Sequence, residues 1–84
     1  MQFVEADVIS FMRKGMLPQP LRVRIVRDGK IYHFTIDKVI SSEKRYDARL
    51  SYCKYKCLAT PNEKQIEFVM QYWPDSCEWQ MEKL

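Results

Sequence analysis

The sequence predicts an all-β fold: a single antiparallel meander of five to six short strands, able to close into a small barrel. Three observations carry this expectation. Asp28-Gly29 stands between two alternating apolar runs, which is a strong short-range hairpin signal. Apolar and polar residues alternate again over residues 50–58 and 66–73. Turn formers punctuate the chain at regular intervals, at Gly15 and Pro18, at Asp28-Gly29, at Thr60-Pro61-Asn62 and at Pro74-Asp75-Ser76.

The first segment, residues 2–12, fits two periods. Val4, Val8, Phe11 and Met12 fit a helical stripe, whereas Val4, Ala6, Val8, Ser10 and Met12 fit one face of a strand. Short apolar runs are not settled by period alone. An α+β form, with a helix at 3–13 packed on a four- to five-stranded antiparallel sheet, is therefore the alternative architecture. Gly15, Pro18 and Pro20 end the segment in either case.

In the hairpin that follows, a two-residue Asp28-Gly29 loop sets the register. Arg27 then faces Lys30, Ile25 faces Tyr32, Val23 faces Phe34 and Leu21 faces Ile36. The last three pairs share one side, which reads as the core side. The other side carries Val26 with Ile31, Arg24 with His33 and Arg22 with Thr35, and is mostly polar and basic. A pair such as Val23 with Phe34 contributes about 0.2–1 kcal/mol. The second strand continues through Lys38-Val39-Ile40, and residues 41–48 read as a polar connection.

Beyond it, Ser51, Cys53, Tyr55 and Cys57 alternate with Tyr52, Lys54, Lys56 and Leu58. The first set is the core candidate, because charge belongs in water. After the Thr60–Lys64 turn, Ile66, Phe68, Met70 and Tyr72 share a face, opposite Glu67, Val69, Gln71 and Trp73. Pro74-Asp75-Ser76 turns the chain into a last strand, where Trp79 and Met81 alternate with Glu78, Gln80 and Glu82.

The chain has 84 residues, which sets one domain, 1–84, with a modest core. No secretory signal and no apolar run of about 18 residues is present, so the expected compartment is the cytoplasm. Three cysteines cannot form a closed disulfide framework. Cys53 and Cys57 would share a strand face with Cα atoms about 13 Å apart, beyond disulfide reach. Together with Cys77 and His33 they match no zinc spacing, so no metal or other cofactor is expected. The net charge of +3 is uneven. Residues 1–60 hold twelve Lys/Arg against six Asp/Glu, and residues 61–84 hold two against five. Such asymmetry fits either a basic surface for an anionic partner or strands that neutralise one another across a sheet.

Several short motifs stand together: Asp28-Gly29, Tyr32, Ile36-Asp37-Lys38-Val39, Tyr52-Cys53-Lys54 and Trp79-Gln80-Met81-Glu82. In these the chain resembles a family of small uncharacterised bacterial β-rich proteins, mainly from Gram-positive genomes and partly associated with mobile elements. Where that family has a glycine-rich loop, this chain has Glu43-Lys44-Arg45-Tyr46-Asp47-Ala48. The resemblance implies a small β-rich fold, no enzymatic activity, and a nucleic-acid or protein partner.

The residues themselves point the same way. Two isolated glycines build no phosphate loop, and His33 is the single histidine, with no nucleophile or base paired to it by sequence. Asp7, Asp37, Asp47 and Glu43 form no recognisable carboxylate pair. A non-enzymatic binding or accessory protein is therefore expected, working through a protein partner or a homodimer. Val26, Ile31, Val69 and Trp73 are the candidate interface, as apolar residues on otherwise polar faces. The plainer reading of these four is a sheet covered on both sides. The alternative function is a nucleic-acid-binding module using a basic sheet face. Arg22, Arg24, Lys54 and Lys56 would contact phosphates there, with His33 and Tyr52 beside them. The plainer reading of that set is an ordinary solvated face that protects sheet edges.

Overall fold

The computed structural model describes residues 3–82. Six strands follow one another: β1 (Phe3–Phe11), β2 (Gln19–Arg27), β3 (Lys30–Asp47), β4 (Leu50–Ala59), β5 (Ile66–Trp73) and β6 (Glu78–Glu82). Each pairs antiparallel with the next, and β6 returns to β1, which closes the barrel. A six-stranded barrel is narrow enough for side chains to fill. Val23, Ile25, Cys53, Tyr55, Cys57, Ala59, Phe68, Met70, Trp79 and Met81 form that filling. Four of them alternate along β4, as charge on the other parity requires. Rings lock the interior: Phe34 meets Phe68 edge-on at 5.3 Å, and Trp79 lies against Tyr72 at 4.7 Å and Tyr55 at 5.5 Å.

The Asp28-Gly29 loop has positive φ at both residues, 52° and 75°, as a type I′ turn requires. The hairpin register is the expected one from Arg22↔Thr35 to Arg27↔Lys30.

The all-β meander holds, closed into a barrel, and of the two readings of the first segment the strand holds and the 3–13 helix does not: β1 pairs with β2 on one edge and β6 on the other. Two ladders satisfy its backbone, and Val4, Ala6 and Val8 turn toward the core. The structure corrects the sequence reading at three further places. Leu21 does not sit on the core side. The register steps from Ile9↔Arg22 to Ser10↔Pro20, so Leu21 is an extra residue in a bulge and is 45% exposed, while Pro20 is buried in its place. Tyr32 keeps its pairing with Ile25 but lies at the barrel end, 45% exposed. Residues 41–47 are not a loop but the far end of β3, which runs for 18 residues.

A strand that long must bend to stay on a barrel. Two further bulges supply the bend, where Ile36↔Ala59 gives way to Lys38↔Leu58 and Val39↔Cys57 to Ser41↔Lys56. The Thr60 hydroxyl donates to the bulged Asp37 carboxylate at 2.6 Å. β3 therefore serves two partners in succession, β2 over its first residues and β4 from Ile36 onward. The β1–β2 connection folds back over one end of the barrel. There the buried Tyr55 hydroxyl donates to the Pro18 carbonyl. Among the described residues no helix is long and apolar enough to cross a membrane.

Candidate interaction surfaces

Barrel closure puts every second residue outside. On β1, β2 and the first part of β3 the outer wall runs in lateral rows: Ile9 with Arg22 and Thr35, then Asp7 with Arg24 and His33, then Val26 with Ile31. Val26 and Ile31 are direct cross-strand neighbours, 59% and 58% exposed. Ile9 on β1 is 61% exposed and lies opposite Arg22. Phe11, Met12, Met16 and the bulged Leu21 are exposed near the β1–β2 connection. On β4, β5 and β6 the wall is mixed too, with Lys54, Gln71 and Gln80 in one lateral row, Val69 opposite Lys56, Leu58 opposite Glu67, and Lys56 beside Glu67.

The interface residues expected from the sequence fall on two sides of the barrel. Val26 and Ile31 lie together on the outer face of β2 and β3. Val69 and Trp73 lie on β5, half-buried, with Val69 opposite Lys56. Trp73 stacks on Tyr52 with ring centroids 4.5 Å apart, and its indole N–H donates to Gln80 Oε1 at 3.3 Å. Ile9, Phe11, Met12, Met16 and Leu21 were not expected on this surface. The available signal was that Ile9 and Phe11 are apolar on the parity opposite Val4, Ala6 and Val8. Leu21 carried no such signal, because its bulge depends on the partner strand.

The basic residues separate in the same way. Arg22, Arg24 and His33 sit on β2 and the start of β3, whereas Tyr52, Lys54 and Lys56 sit on β4. His33 pairs with Arg24, and Lys54 pairs with Glu43, ten residues further along β3. That is about 30 Å of strand. Among the described residues, two of these four cations, Arg24 and Lys56, pair with carboxylates. Arg24 donates from Nε to Asp7 at 2.9 Å and also pairs with it through its terminal nitrogen. Lys56 Nζ lies 3.3 Å from Glu67. Arg45 holds Glu43 at 2.8 Å, a hydrogen bond that lowers the Glu43 pKa, with Lys54 adding to the effect.

Two shallow openings lie on the β2–β3 side of the barrel. One, about 420 Å³, runs between β1 and β3 past Ile9, Arg22 and Arg24. The other, about 580 Å³, opens at the barrel end between Tyr32, Phe34, Pro61 and Ile66. Inside the barrel, desolvation pushes the Cys57 thiol up to about 12 and raises the Tyr55 hydroxyl as well. Both groups thus stay protonated and inert near neutral pH. Among the described residues, no three His, Cys, Asp or Glu side chains converge on a metal position. No protein family, curated protein or solved structure matches the chain.

Proposed function

We propose that the protein is a non-enzymatic binding module that works by joining a protein surface, first of all a second copy of itself. One observation carries this reading. The outer face of β2 and the start of β3 exposes the cross-strand pair Val26 and Ile31, at 59% and 58%, on a chain of only 84 residues. Scattered single apolar residues are ordinary on a surface, but Val26 and Ile31 are direct cross-strand neighbours, and such a paired patch on a small barrel favours a partner. Assembly also adds buried area that a chain of this size lacks. The free thiols Cys53, Cys57 and Cys77 support a reducing compartment such as the cytoplasm.

Sedimentation velocity over a wide concentration range tests the reading. The parent should sediment faster as concentration rises, and Ile31→Lys should stay at the monomer value with an unchanged fold. A parent that stays monomeric while binding a protein partner in an Ile31-dependent way would move the reading to a heterologous partner. If neither occurs, the Val26–Ile31 patch is only surface.

A second reading has its own support. The Tyr52–Trp73 stack lies outside the barrel with Arg45 and Lys54 on adjoining ladder positions, an arrangement that can stack bases of single-stranded nucleic acid. Fluorescence anisotropy with labelled oligonucleotides at two salt concentrations addresses it. Salt-sensitive binding lost in the Arg24→Glu/Lys54→Glu double variant would favour this reading over assembly.

A further inference from the structure

The far end of β3 has an open edge. β2 pairs with β3 only as far as Arg22↔Thr35, and from Ile36 to Asp47 the strand pairs with β4 alone. Among the described residues, no turn or loop backbone bonds to this stretch. The direction of its free groups follows from the turn. In a hairpin with a two-residue loop, the residues flanking the loop exchange both backbone bonds, and bonded and non-bonded pairs then alternate. Asp47↔Leu50 flanks the Ala48-Arg49 loop, so Arg45↔Tyr52, Glu43↔Lys54 and Ser41↔Lys56 are bonded pairs. Ser42, Lys44 and Tyr46 therefore direct N–H and C=O away from β4, toward solvent. Their side chains are exposed, Tyr46 at 77%.

This edge differs from the bulged part of β3. From Ser41 to Asp47 the register has no irregularity, so the edge is straight enough to template another strand. Its charge decides which strand. Lys38, Lys44, Arg45, Arg49 and Lys54 outnumber Asp37, Glu43 and Asp47 on this arm. Two such arms repel, and Lys44 acts as an edge guard against a second copy. An extended acidic segment meets no such barrier.

We propose that the Ser41–Asp47 edge of β3 takes up an extended acidic peptide segment by strand addition, with Ser42, Lys44 and Tyr46 supplying the backbone bonds. The acidic side chains of an alternating added strand share one face and meet Lys44 there, while its apolar side chains take the other face. The site lies on the arm between β3 and β4, apart from the Val26–Ile31 patch, and does not depend on self-association there.

Amide solvent exchange by NMR tests this on the whole protein. The probe is a capped Thr-Glu-Val-Glu-Val-Glu-Thr peptide, and its control carries Lys for each Glu. With peptide at about nine times its Kd, the Ser42, Lys44 and Tyr46 amides should exchange about tenfold more slowly. The Glu43 and Arg45 amides, already bonded to β4, should hold their rates. Ser42→Pro removes one edge donor and leaves the β4 ladder intact, so it should weaken peptide binding. No slowing with the acidic peptide overturns the site, and equal slowing with the lysine control overturns the acidic preference. Slowing that grows with protein concentration in the absence of peptide would make a second copy the occupant and overturn the proposal.

Discussion

Removing one oxygen from the barrel interior tests how the β1–β2 connection is held. Tyr55 is 1% exposed, and its hydroxyl donates to the Pro18 carbonyl, which lies in a buried residue. Tyr55→Phe keeps the ring and its packing against Trp79 but leaves that carbonyl without its donor. An unsatisfied buried acceptor costs about 1–3 kcal/mol. For a chain of this size each kcal/mol lowers Tm by about 4–8 °C. Urea unfolding followed by Trp fluorescence, with matched thermal scans, reads both quantities. The variant also has a pH signature. Burial raises the Tyr55 pKa above its ordinary value of 10.0, so the folded state favours the protonated form. That contribution is fully present below the unfolded pKa and is lost as pH rises above it toward the folded pKa. Tyr55→Phe should therefore be less stable than the parent near neutral pH but lose less on going to high pH. A variant equal in stability to the parent at neutral pH, with the same alkaline loss, would refute the hydrogen bond and its role.

Other outcomes follow from the same structure. Phe68→Ala removes a 2% exposed ring and its edge contact with Phe34, and should cost about 3–5 kcal/mol by urea unfolding, enough to unfold much of the population. Leu21→Ser should change stability by less than about 0.5 kcal/mol, as at an ordinary surface site, while Val23→Ser should destabilise strongly; equal losses in thermal scans would refute the bulge at Leu21. Asp7→Asn should cost less than about 1 kcal/mol, because the Asp7–Arg24 pair is exposed, and the loss should shrink further in high salt. Cys57, raised from 9.0 to about 12 by burial, should add to a fall in stability that begins above pH 9; Cys57→Ala should flatten that fall in a pH series of urea midpoints.

Most of the meander was legible because its signals are local. Asp28-Gly29 states its own turn type, and the parity of Cys53, Tyr55 and Cys57 against Lys54 and Lys56 states which side of β4 is inside. What escaped depends on partners distant in the chain. Residues 3–11 fit a helix period as well as a strand period, and the edges that β2 and β6 offer decide for the strand. Leu21 leaves the core because β1 runs one residue short against β2, which places Pro20 inward instead. Residues 41–47 look like a polar loop because they extend beyond the barrel, where neither face needs to be apolar. The candidate surfaces show the same limit. Val26 and Ile31 were found because a two-residue loop makes them neighbours, whereas the stacking of Tyr52 on Trp73 joins two residues expected to serve different purposes.

Assembly through the exposed Val26–Ile31 patch is the proposal on which the function rests. The most direct measurement is sedimentation velocity of the parent and Ile31→Lys, side by side over the same concentration series. The account predicts a sedimentation coefficient that climbs with concentration for the parent and stays flat for the variant. Two flat, coincident monomer curves would contradict it.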